Sequence, residues 1–145
     1  MKHVFLDSSV VLSFCASKTG ASALILRYCR EKKLKGHISL KVIAEVRKNT
    51  LLKMGDKAFQ RFEYILKAGF LIVEPDPLPD AIEQCATVIR RKDAPVLAVA
   101  FNNPKIEYLL TLDKKDFLKP QVKQFVTPLI IVTPGELIQK YYKEA

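Results

Sequence analysis

Short apolar runs alternate along this chain with segments of helical periodicity, and that alternation limits the fold more than any other feature. Val4-Phe5-Leu6, His37-Ile38-Ser39-Leu40, residues 70–73, Tyr108-Leu109-Leu110-Thr111 and residues 129–132 each have the length of a buried strand. Between them apolar positions recur at spacings of three and four. Ala21, Leu24, Ile25 and Tyr28 mark a helix over 19–34 that Gly36 ends; Val42, Ile43 and Val46 mark a second; Phe59, Phe62, Ile65 and Leu66 mark a third that stops at Gly69. Beyond a loop punctuated by Pro75, Pro77 and Pro79, helical spacing returns at Ile82, Cys85, Val88 and Ile89, and a further helix runs from near Asp93 through Phe101. Thr133-Pro134-Gly135-Glu136 is a capping box with Pro at the first helical position, opening a terminal helix through Tyr142. Parallel strands need crossover connections, and those crossovers are right-handed, so the pattern predicts an α/β fold with a parallel sheet of about five strands covered on both faces.

A chain of 145 residues has room for one domain, and no repeat, low-complexity tract or linker divides it, so residues 1–145 read as a single unit. With 49% apolar and 27% charged residues the composition excludes disorder as the main state. Cys15, Cys29 and Cys85 are odd in number and lack any C-x-x-C pair, which supports neither a disulfide framework nor a thiolate zinc site. Asp7 interrupts the first apolar run before a signal-peptide core is complete, and no stretch has the length of a membrane span. The expected location is the cytoplasm, with no membrane partner.

In an open α/β sheet the ligand site lies at the carboxyl ends of the strands, near the point where strand order reverses. Asp7 closes the first strand and Asp113 follows the fourth, while Glu45 borders the buried stripe of its helix and Asp93 starts an otherwise apolar one. Several carboxylates in one cleft raise one another's pKa, and hard divalent cations with oxygen ligands, chiefly magnesium or manganese, are the usual compensation. Lys plus Arg number 24 against 15 Asp plus Glu, a net charge of +9, so an acidic pocket on this basic chain points to a nuclease: surface cations hold a phosphate backbone and metals in the pocket cut it.

Each residue also has a structural reading. Asp7 and Asp93 suit helix caps, Glu45 suits a pair with Lys41 or Lys48, and Asp113 with Asp116 suits a polar turn. Arg90-Arg91-Lys92 suits a solvated helix end as well as a nucleic-acid contact, and His3 and His37 have no acid or nucleophile beside them in sequence. Neither a Gly-rich phosphate loop nor a G-x-S-x-G or H-E-x-x-H motif is present.

The ordered set Val4-Phe5-Leu6-Asp7-Ser8-Ser9-Val10, Ile38-Ser39-Leu40-Lys41-Val42-Ile43-Ala44-Glu45-Val46, Lys92-Asp93-Ala94-Pro95-Val96-Leu97-Ala98-Val99-Ala100 and Leu110-Thr111-Leu112-Asp113-Lys114-Lys115-Asp116-Phe117 resembles the PIN-domain ribonuclease family, in particular its toxin-component branch. The resemblance implies a three-layer α/β/α domain and an endoribonuclease dependent on Mg2+ or Mn2+, cleaving RNA by in-line hydroxide attack on a phosphodiester. It further implies metal ligands and catalytic acids at Asp7, Glu45, Asp93 and Asp113, with Asp116 as an auxiliary acid and Ser9 and Thr111 orienting the site. RNA would meet Arg90, Arg91, Lys92, Lys114 and Lys115, and the implied protein partners are an antitoxin and a second copy of the chain. Two departures stand out: Ser9 occupies a position where the family commonly has Asn, and Arg90-Arg91-Lys92 stands where many members carry further acids. The alternative is an RNA-binding module without turnover that acts through protein partners. A receiver-like phospho-acceptor domain fits less well, since it wants paired acids after the first strand, where this chain has Ser8-Ser9 beside Asp7, and a Lys after the last strand, where it has Thr133.

Overall fold

A computed structural model describes residues 1–142. Its sheet is built from β1 (Lys2–Leu6), β2 (Leu34–Ser39), β3 (Leu71–Glu74), β4 (Tyr108–Leu110) and β5 (Ile130–Val132), all parallel, in the order β3-β2-β1-β4-β5. The helices are α1 (Ser8–Ala16), α2 (Ala21–Arg30), α3 (Leu40–Asn49), α4 (Asp56–Ala68), α5 (Pro79–Cys85), α6 (Ala94–Phe101), α7 (Pro120–Phe125) and α8 (Pro134–Tyr141). Strand order moves outward from β1 to β3 and then returns across the sheet to β4 and β5, so right-handed crossovers place helices on both faces and produce three α/β/α layers. The central strand records this: Val4, Phe5 and Leu6 are each fully buried on alternating faces. Among the described residues no single helix is long and apolar enough to cross a membrane.

Gly36 does not end a helix. The second helix stops at Arg30, the chain turns through Lys32 at φ 62°, and Gly36 lies inside β2. Its lack of a side chain is a packing requirement: a Cβ there would stand 2.7 Å from Leu71 Cδ2 and 2.8 Å from Cys29 Sγ. Val88 and Ile89 lie in turns beyond α5 rather than in a continuing helix, although Ile89 stays in the core. Neither α7 nor a π-helical segment, Thr50–Met54, that prolongs α3 until Gly55 at φ 99°, has a counterpart in the periodicity. The capping box at Thr133 forms as predicted, with the Glu136 N–H donating to Thr133 Oγ1 at 3.1 Å and the Thr133 N–H to Glu136 Oε1 at 2.9 Å.

The two histidines have partners that only the fold supplies. His37, almost fully buried, links to Glu74 Oε2 through Nδ1 and to His3 Nδ1 through Nε2, each at 2.8 Å, which makes a polar chain across β1, β2 and β3. Every buried ring nitrogen in it is satisfied when His37 donates to Glu74 and accepts from His3.

Candidate metal centre

Strand order reverses beside β1, and an open parallel sheet places its crevice at such a point, here at the carboxyl ends of β1 and β4. The main chain fixes what stands there. Asp7, next after β1, donates its N–H to the Leu110 carbonyl at 3.0 Å, and Thr111, next after β4, donates its own to the Val132 carbonyl at 3.1 Å. The Thr111 hydroxyl then donates to Asp7 Oδ2 at 2.8 Å and accepts the Asp113 N–H at 3.0 Å. The Ser9 hydroxyl donates to the same Asp7 oxygen at 2.9 Å and accepts the Leu112 N–H at 3.0 Å. Two hydroxyls therefore aim the Asp7 carboxylate and tie the end of β1 to the loop after β4. Ser9, short as it is, reaches both partners.

Asp7 heads α1 and Asp93 heads α6, yet neither side chain caps its helix. Asp7 turns instead to the two hydroxyls, and Asp93 Oδ2 is buried with no hydrogen-bond partner among the described residues. One carboxylate oxygen from each of Asp93, Asp113 and Asp116 lies within 4.8 Å of the other two. The turn after β4 accounts for part of this: Asp113 Oδ1 accepts the N–H groups of Lys115 and Asp116 at 3.1 and 3.0 Å, which brings the buried Asp116 into the cluster. Asp113 thus serves the polar turn and the cluster together.

Glu45 stands half-buried on α3 and joins the group through its field rather than by contact. Burial pushes its carboxyl pKa up, Lys41 opposes, and Asp7 and Asp93 push it further. Among the described residues it makes no ion pair with Lys41 or Lys48. Burial likewise raises Asp93, against Lys92 and with Asp116, Asp113 and Asp7 adding to the rise. Asp7 is raised by burial despite the hydrogen bonds from Thr111 and Ser9, and Asp113 adds to it. The acids that sequence singled out thus share one electrostatic neighbourhood: Asp93, Asp113 and Asp116 in contact range, Asp7 joined through Thr111, and Glu45 coupled by charge to Asp7 and Asp93.

This donor set fits a hard divalent cation. It is all oxygen, its charges raise one another's pKa, and one buried oxygen has no donor, a condition that is costly unless a cation or proton satisfies it.

The cations sort differently from their adjacency in sequence. Arg91 grips Glu83 with two hydrogen bonds of 2.7 and 3.0 Å and is thereby engaged away from the acids. Arg90 Nη1 stands 3.6 Å from Asp116 Oδ2, and Lys92 acts on Asp93 and Glu45 through its charge. Lys114 and Lys115 are exposed on the same loop as Asp113. The Arg90–Asp116 pair was not readable from sequence, because a contact made by an exposed side chain leaves no periodic trace.

A family model described as PIN domain matches residues 3–115. Two solved structures share the fold across most of the chain. FitAcB from Neisseria gonorrhoeae is 16% identical, covers 91% of this chain and 98% of its own, and superposes with a TM-score of 0.61. PAE2754 from Pyrobaculum aerophilum is 17% identical, covers 96% of this chain and 88% of its own, with a TM-score of 0.60. At such identities the likeness is one of fold alone. No curated protein matches the sequence.

Proposed function

The chain belongs to the PIN-domain family, and from that premise we propose that it is a divalent-metal-dependent endoribonuclease acting at the crevice between the ends of β1 and β4. The observation that carries the reading is the buried Asp93 Oδ2, unpartnered among the described residues, on a carboxylate that shares a cluster with Asp113 and Asp116, one oxygen of each lying within 4.8 Å of the others. Asp93, Asp113, Asp116 and Asp7 would hold the ion, with Glu45 completing the negative wall. When bound, Mg2+ or Mn2+ supplies Lewis-acid neutralisation of a phosphodiester and a lowered pKa for water at the site. Thr111 and Ser9 aim Asp7 by donating to one of its oxygens, and with the Ser8 main chain they oppose the rise that burial imposes on its pKa. Lys92, Lys114 and Lys115 provide the positive charge that draws and seats the RNA backbone beside the acids.

A protein partner of antitoxin type is part of the same proposal. Away from the acids, a groove of about 930 Å3 between α2 and α4 combines Phe14 and Tyr64 with the cations Lys18, Arg27, Arg30, Lys57 and Arg61. Among the described residues no acid lines it, so its chemistry suits an amphipathic segment with acidic flanks.

The test is cleavage of a labelled single-stranded RNA with Mn2+ or with excess chelator. Cleavage is expected only with the ion, and Asp7→Asn or Asp113→Asn is expected to lower the rate at least about a hundredfold with circular dichroism unchanged. Full cleavage in chelator, or by either variant, overturns the reading. RNA binding without turnover under any divalent ion favours the non-catalytic alternative instead.

A further inference from the structure

We infer that Arg90 is a built-in counter-ion of the acidic cluster, occupying Asp116 while no divalent ion is bound and competing with that ion for it; this rests on the metal reading above. Among the described residues Arg90 supplies the one cationic side chain within 4 Å of any of the three clustered carboxylates, with Nη1 at 3.6 Å from Asp116 Oδ2. The asymmetry of the pair shows which partner is fixed. The Asp116 side chain is 8% exposed and its main-chain N–H is tied to Asp113 Oδ1 in the turn after β4, whereas the Arg90 side chain is 57% exposed.

The backbone of Arg90 belongs to the same device. Its carbonyl accepts the Asp93 N–H at 2.9 Å and the Ala94 N–H at 3.1 Å, which sets the start of α6 and hence the position of Asp93. One residue therefore positions Asp93 through its main chain and neutralises Asp116 through its side chain. Its neighbours cannot take the same place: Arg91 is committed to Glu83, and Lys92 makes no ion pair with the cluster. A cation at Asp116 relieves the repulsion of three like charges, and a divalent ion entering the cluster meets the positive charge of that guanidinium at the same carboxylate. Arg90 is thus a positioning residue, and it makes metal entry an exchange of one cation for another.

The consequence is a gain on mutation. Mn2+ binding to the purified full chain, followed by the electron paramagnetic resonance signal of the free ion, is expected to be about tenfold tighter in Arg90→Gln than in wild type, the scale on which a single neighbouring charge alters proton binding by a carboxylate. Arg90→Lys, which keeps the charge but lacks the fork and the reach, is expected to fall between them. A role limited to holding the loop in place would weaken Mn2+ binding on mutation, so the sign separates the two. In an Asp116→Asn background the gain should vanish, because the negative charge that pairs with Arg90 is gone. Equal or weaker Mn2+ binding by Arg90→Gln, or a gain that persists with Asp116→Asn, overturns the role of Arg90 and leaves the metal reading standing. Indifference to Mn2+ in wild type and Arg90→Gln alike sinks the metal reading itself, and this inference with it. Lys67→Ala, which removes a charge from the exposed side of α4, serves as the reference for a change in net charge alone.

Discussion

At Asp7 burial and hydrogen bonding pull in opposite directions. Burial raises its carboxyl pKa, the hydroxyls of Thr111 and Ser9 resist, and Asp113 adds further repulsion. A negative charge kept there without a metal is a local cost to the fold, tolerated because the neighbouring structure over-determines it. Asn at this position keeps an oxygen for both hydroxyl donors and sheds the charge. Asp7→Asn is therefore expected to stabilise the metal-free chain, on the order of 1 kcal/mol, or about 3 °C in Tm for a chain of this length, while removing its activity. Thermal unfolding in chelator checks it. A lower Tm for Asp7→Asn would mean that the carboxylate is needed for the hydroxyl network itself and carries no stored cost. With Mn2+ present the order should invert, since only wild type then gains the ligand's binding energy.

Among the elements, β2 shows where sequence patterns inform and where they mislead. Gly36 reads as a helix stop because glycine after an amphipathic run commonly is one, yet it sits in the sheet, where Leu71 from β3 and Cys29 from α2 close over it. A Cβ placed there meets atoms at 2.7 and 2.8 Å, so Gly36→Ala is expected to destabilise the chain by about 1–3 kcal/mol in urea unfolding, as overpacking of a core does. Pairing it with Cys29→Ala, which removes the Sγ, should recover part of the loss; wild-type stability for Gly36→Ala alone would show that α2 shifts freely. The same limits explain the rest of the comparison. Strands and amphipathic helices were legible because one buried face writes a period into the sequence, and so was the arrival of Asp7 and Asp113 at one end of the sheet, which follows from their places after β1 and β4. The short helix α7, the π-helical segment after α3 and the early end of α5 were not legible, being too brief or too irregular to carry a period. Side-chain partners across the fold, Arg90 with Asp116 and His37 with Glu74, depend on contacts between residues far apart in sequence, which no local pattern encodes.

Over the whole molecule the charge is divided by place. The chain carries a net charge of +9, yet Asp93, Asp113 and Asp116 cluster and the charges of Asp7 and Glu45 act within the same group, so a polyanion attracted to the chain is repelled at these acids. A cation in the crevice removes that conflict, and the lysines around it decide how strongly the polyanion is held. Each phosphate contact releases a counter-ion, so the logarithm of RNA affinity should fall with the logarithm of salt concentration, by a slope of about 0.7 per contact on a single strand. Lys92, Lys114 and Lys115 flank the acids, and each is expected to reduce that slope by about one contact when changed to Ala. Arg91 is already engaged with Glu83, and Arg91→Ala is expected to leave the slope nearly unchanged. Fluorescence anisotropy of a labelled single-stranded RNA on the Asp113→Asn chain, between about 50 and 200 mM salt, measures the slope without cleavage. Equal losses from all four variants would place the RNA by overall charge rather than by the loop beside the acids. A loss confined to the three lysines would mean that the residues delivering the polyanion lie on the segments that carry Asp93 and Asp113, so that binding and cutting are coupled by their proximity along the chain.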